Sequence, residues 1–134
     1  MNISKIEHIG LAVKDLQASI KFYEEVFGLK CYAIEEVKDQ KVRTAFFKVG
    51  ETKIELLEST EPDGPIARFI EKKGEGFHHI AFAVDNVNNA LDTMQSKGVQ
   101  LVDQTARTGA ENLLIGFLHP KSTLGVLTEL CSAR

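Results

Sequence analysis

The apolar positions change their rhythm along this chain in a way that repeats once. Residues 6–13 read IEHIGLAV and residues 77–84 read FHHIAFAV, two short runs rich in aliphatic residues that predict buried strands. After the first run, Asp15 stands at an N-cap position and Leu16, Ile20, Tyr23 and Phe27 follow at helical spacing until Gly28 stops the helix. After the second, Asp85 or Asn86 caps a helix with Val87, Ala90, Leu91 and Met94 on one face, ending at Gly98. Shorter strand-like runs then complete each unit. In the first they lie at 29–37, 42–49 and 53–58, and in the second at 99–103, 113–118 and 125–130.

The landmarks keep the same order in both halves. AFF at 45–47 answers GFL at 116–118, and IEL at 54–56 answers TEL at 128–130. Self-similarity of this kind is the mark of a duplicated supersecondary unit. The pattern therefore predicts an α+β fold of two paired β-α-β-β-β modules, forming a curved sheet and cleft around one site. Module one covers about 1–60 and module two about 75–134, within a single domain over 1–134. Between them, residues 61–74 carry Asp63-Gly64-Pro65 and then Ile66, Phe69 and Ile70, which predicts a docked linker helix closed by the glycines of KKGEG.

The repeat singles out four polar residues. His8 and His79 occupy the same place in the first strand of each module, and Glu55 and Glu129 the same place in the last. Each glutamate is bracketed by Ile54 and Leu56 or by Thr128 and Leu130, so strand alternation sends it to the opposite face from its neighbours. If those neighbours pack, the carboxylates face the interior, where an unpartnered charge is costly. A divalent cation among two imidazoles and two carboxylates removes that cost. Two nitrogens and two oxygens leave two positions of an octahedron open and suit Co²⁺, Zn²⁺, Ni²⁺ or Mn²⁺ better than Ca²⁺ or Mg²⁺. A lone histidine in an apolar strand is more often a core residue than a ligand. It is the matched placement of all four that carries the metal reading.

Other polar residues are less pointed. His78 alternates to the face opposite His79 and reads as structural, and His119 precedes Pro120 in a turn. Lys121, Ser122 and Thr123 follow in the same connection, either as a solvated turn or as substrate contacts. No Walker A loop, GxGxxG or GxSxG occurs.

Bulk properties narrow the function classes. With 134 residues, 43% hydrophobic and 26% charged, the chain is one ordinary globular domain. A net charge of -3 without a basic stretch argues against nucleic acid. Cys31 and Cys131 form no CxxC pair and read as reduced thiols. No membrane-length apolar run or targeting segment is visible, so a cytoplasmic location is expected.

EHIGLAVKDL with FYEEVFGL, TKIELLEST with GPIARFIEKKGEGFHHIAFAV, and FLHPKSTLGVLTEL together resemble the methylmalonyl-CoA epimerases of the vicinal-oxygen-chelate superfamily. The resemblance spans nearly the whole chain, and the stretch through the linker helix is its most specific part. It implies one divalent ion on His8, Glu55, His79 and Glu129 and an acyl-CoA substrate. The implied reaction moves the α-proton between the 2R and 2S epimers through an enolate stabilised by the ion. Glu129 is the first candidate for a proton-transfer group, and the family implies a homodimer. Where several members have a second glutamate, this chain has Thr44, which cannot serve as that acid or base. Glyoxalase I (lactoylglutathione lyase) shares the fold and a closely similar ligand set but not the linker motif. The superfamily's antibiotic-sequestering binding proteins usually lack a full ligand set.

Overall fold

A computed structural model describes residues Met1–Arg134. In chain order the elements are β1 (Ile3–Ala12), α1 (Leu16–Phe27), β2 (Cys31–Val37), β3 (Val42–Val49), β4 (Thr52–Ser59), α2 (Pro65–Lys73), β5 (Gly76–Val84), α3 (Val87–Ser96), β6 (Arg107–Thr108), β7 (Leu114–Leu118) and β8 (Thr128–Ser132). This is the α+β class that the alternating rhythm predicts. Two compact units result, one of Ile9–His78 and one of Met1–His8 with His79–Arg134.

Within Ile9–His78 the strand order is β2-β3-β4-β1. The pairs β2/β3 and β3/β4 are antiparallel, and Phe46 stands opposite Glu55. Helix α1 starts where Asp15 accepts a hydrogen bond from the Ala18 backbone N–H, and it stops where Gly28 turns left-handed at φ 68°. The Leu16 N–H is taken by the Glu58 carboxylate from β4. The helix buries Leu16 and Ile20 against Ala45, Phe47 and Leu56. Ile54 and Leu56 lie on this helix side, so alternation sends the buried Glu55 to the other face.

Within the second unit the order is β1-β5-β8-β7-β6. Strands β5 and β8 are parallel, with Ala81 opposite Glu129, and β7/β8 are antiparallel, with Phe117 opposite Glu129. Helix α3 is capped by Asn86, whose side chain accepts from the Asn89 N–H. It packs Val87, Ala90 and Leu91 on Leu118 and Leu130. Removing Val87, Leu91, Leu118 or Leu130 from water contributes about 1.5–3 kcal/mol apiece. Close packing here depends on Gly116, because a Cβ at that position would stand 2.9 Å from Leu91 Cδ1.

One expected strand is absent. Residues 99–103 make only an isolated bridge, Leu101 to Leu118, and the edge strand is instead the two-residue β6. The Asp103 carboxylate accepts the Phe117 N–H and the Arg107 Nε–H, and Asn88 accepts the Ala106 N–H. Side chains thus satisfy backbone and charged donors that a ladder would otherwise have claimed. The other strand boundaries match the expected ones or move by at most three residues, and the linker helix forms as the sequence predicts.

Candidate metal centre

Three adjacent strands, β1, β5 and β8, bring His8, His79 and Glu129 to one point. The cause is the period of two. Leu130, Phe82 and Val84 face α3, which leaves Glu129 together with Ala81, Cys131, Ile115 and Phe117 on the opposite face. His79 lies two residues before Ala81 on β5 and shares its side. All three residues are 4% exposed, so none is a surface residue placed there by chance.

Their geometry is that of a hydrogen-bonded cluster whose donor atoms are also spaced to hold an ion. His8 Nε2 and His79 Nε2 are 3.0 Å apart, with the rings edge to face. Glu129 Oε2 lies 3.5 Å from His8 Nε2, and Oε1 lies 3.3 Å from His79 Nε2. The nitrogen–oxygen separations exceed the 2.7–3.2 Å range of good N–H···O bonds, roughly speaking. They match the edges of a coordination polyhedron, since bonds of about 2.0–2.2 Å place neighbouring ligands roughly 2.8–3.5 Å apart. Two imidazole nitrogens face each other, and a cation between them would use both lone pairs at once. The residues present fit a divalent transition ion.

Burial pushes the Glu129 carboxyl up, but the charge and long hydrogen bonds of His8 and His79 outweigh it and bring it down to about 2. The carboxylate is therefore ionised over any working pH. The His79 ring also meets Phe117 edge-on at 5.5 Å, which holds the imidazole from its far side.

The fourth candidate, Glu55, is buried on β4 and belongs to the other compact unit. His78 stacks edge-on against Phe69 of α2, a packing role that agrees with its alternation. In the turn after β7, the Ser122 hydroxyl accepts the Gln100 N–H and the Thr123 hydroxyl donates to the Val126 carbonyl. Lys121 is exposed there, and its backbone N–H is taken by His119 Nδ1. Sequence reasoning passed over Glu7, whose Oε1 lies 2.6 Å from His8 Nδ1. Its signal was the one acidic residue of β1, next to His8.

A family model described as the Glyoxalase/Bleomycin resistance protein/Dioxygenase superfamily matches residues 5–129. The chain is 42% identical to the uncharacterized protein YqjC of Bacillus subtilis, over 98% of this chain and 94% of that one. It is 34% identical to the ethylmalonyl-CoA/methylmalonyl-CoA epimerase of Cereibacter sphaeroides, over 96% and 97% of the two chains. A Streptomyces coelicolor methylmalonyl-CoA epimerase variant, solved in complex with 2-nitronate-propionyl-CoA, is similar at TM-score 0.95 and 36% identity, over 98% of this chain and 96% of that one.

Proposed function

This chain belongs to the glyoxalase/bleomycin resistance protein/dioxygenase superfamily, and from that premise we propose that it is an isomerase that interconverts the 2R and 2S epimers of methylmalonyl-CoA. The convergence of His8 Nε2, His79 Nε2 and Glu129 on one buried point carries the reading, because such a donor set could hold a metal ion. Glu55 is proposed as the fourth ligand, from its matched place in the repeat and its burial. Co²⁺, Zn²⁺, Ni²⁺ or Mn²⁺ suits this mixed nitrogen and oxygen set. When bound, such an ion supplies a Lewis acid beside the substrate thioester and lowers the cost of negative charge on its oxygen.

The chain's own groups do the remaining work. Glu129 is proposed to take the α-proton on one face of the carbon at a carboxylate oxygen, and a second group, which Thr44 cannot be, returns a proton on the opposite face. The apolar lining from Ile115 and Phe117 keeps water from the site and strengthens its electrostatics. Lys121 is proposed to meet a CoA phosphate as a point charge, on a turn that Ser122 and Thr123 hold in shape. A homodimer and a cytoplasmic location complete the proposal. No helix is long and apolar enough to cross a membrane.

The test is exchange of the α-proton. Incubated with methylmalonyl-CoA in deuterated water, the Co²⁺-loaded protein is expected to incorporate solvent deuterium and to equilibrate the epimers. Absence of exchange, with turnover of the hemithioacetal of glutathione instead, would assign the lyase chemistry of glyoxalase I.

A further inference from the structure

Glu7 and His8 are consecutive on β1, where alternation sends side chains to opposite faces. The Glu7 side chain nevertheless bends back, so that its Oε1 stands 2.6 Å from His8 Nδ1, and both residues are buried. A contact this short is a charge-assisted hydrogen bond. A buried carboxylate is expensive, and folding it over an adjacent ring needs a compensating interaction.

The imidazole proton is the reason the contact matters. A neutral ring carries one N–H, on either nitrogen, and only the nitrogen without it has a lone pair to give. A carboxylate at Nδ1 accepts the proton there and leaves Nε2 as the donor to a cation. His8 Nε2 is the atom that faces His79 Nε2 and Glu129. We infer that Glu7 is a positioning residue, which fixes the tautomer and plane of His8 and so aims its Nε2 lone pair at the metal ion. The inference rests on the metal centre proposed above.

The same donors allow one competing arrangement, since Glu7, His8 and Cys131 also come within 4.8 Å of one another. A cation on the Nδ1 side would need a thiolate. Cys131 Sγ instead lies 3.5 Å from the Phe82 carbonyl oxygen, a neighbour that suits a thiol and would repel a thiolate. Glu7 therefore acts on His8 from behind and is not itself a ligand. Outer-sphere carboxylates of this kind raise ligand basicity and hold ring orientation.

Wild type, Glu7→Gln and Glu7→Ala are to be compared for Co²⁺ affinity, by competition with a chromophoric chelator, and for the exchangeable imidazole N–H resonances of the Co²⁺-loaded proteins. Glu7→Ala is expected to bind Co²⁺ about 10–100-fold more weakly and to lose the protected Nδ1–H resonance of His8. Glu7→Gln keeps an acceptor oxygen on a chain of equal length, so it should recover most of the affinity while shifting that resonance. An affinity for Glu7→Ala within about two-fold of wild type, with the resonance still protected, would overturn the inference. If the alanine variant fails to fold, an unshifted resonance in Glu7→Gln overturns it equally. A wild-type protein that takes up no Co²⁺ would remove the metal centre itself, a separate failure that the same titration reveals first.

Discussion

Strands β2, β3 and β4 of the first module run to 7, 8 and 8 residues, whereas their counterparts β6, β7 and β8 have 2, 5 and 5. The two modules nonetheless present the same donor types at the same places, a histidine in the first strand and a glutamate in the last. The shortening is greatest at β6, the terminal strand in its unit's order, while the shorter β8 still keeps Glu129 in register between β5 and β7. Edge strands can shorten at low cost, because their outer backbone groups find side chains or water. A strand between two partners has no such freedom. The comparison separates what the site needs, which is register on the inner strands, from what the copies merely inherit.

If the donors are equivalent across the modules, removing either histidine should do equal damage. His8→Ala and His79→Ala are each expected to weaken metal binding by more than about 100-fold, beyond what loss of an outer-sphere partner costs. Turnover should disappear with the metal, while circular dichroism stays native. Metal content after dialysis, with α-proton exchange, checks this. A variant that keeps full metal and full exchange would break the symmetry and remove that histidine from the ligand set. Acid should act in the same sense. His8 and His79 hold the Glu129 carboxyl well below the usual carboxylate range, so release of metal on mild acidification reports proton competition for the histidine nitrogens.

The sequence made this site legible where the physics is repetitive, and hid it where the physics is particular. His8, His79 and Glu129 were found because a period-two strand fixes which face a residue takes, and duplication supplied the comparison. The caps at Asp15 and Asn86 and the stop at Gly28 were legible for the same kind of local reason. The stretch 99–103 was not. LVD has the composition of a strand, but the Asp103 carboxylate captures the Phe117 N–H, and nothing local announces such a long-range contact. Glu7 was hidden by the alternation rule itself, which a long flexible side chain is free to evade.

Packing under the two helices offers the next test. Ala45 lies beneath α1 and Gly116 beneath α3, and they answer each other in the repeat. Gly116→Val would drive a side chain into Leu91 and is expected to destabilise by about 1–3 kcal/mol in urea unfolding. Ala45→Gly leaves a small void and adds chain entropy, and should cost about 1 kcal/mol or less. A larger loss from Ala45→Gly than from Gly116→Val would mean that the second module packs more loosely than its core suggests.

Asp103 tests whether side chains truly replaced the missing strand. Asp103→Ala strands the Phe117 N–H and frees Arg107, at an expected cost of about 1–2 kcal/mol, most of it from the unsatisfied amide. Asp103→Asn keeps an acceptor oxygen and should recover the greater part. Hydrogen exchange at the Phe117 amide reads the same event locally. Exchange as slow in Asp103→Ala as in wild type would show that another group takes over.

The smallest expected difference lies at the helix caps, and it sharpens the comparison most. Asp15 accepts from the Ala18 N–H at 3.1 Å and Asn86 from the Asn89 N–H at 2.9 Å, so both modules start their helix by the same device. Replacing either by alanine removes one acceptor, at about 1 kcal/mol. Their chief chemical difference is charge. A carboxylate at a helix N-terminus gains about 0.3–1 kcal/mol from the helix dipole, which an amide does not. Asp15→Asn isolates that term and should cost a few tenths of a kcal/mol, about what its surface exposure permits. Salt decides whether the term is electrostatic, because screening acts on the charge and leaves the hydrogen bond in place. The gap between Asp15→Ala and Asn86→Ala should therefore close at high ionic strength. A gap that persists would place the difference in backbone geometry, and the two caps would then be alike only in sequence.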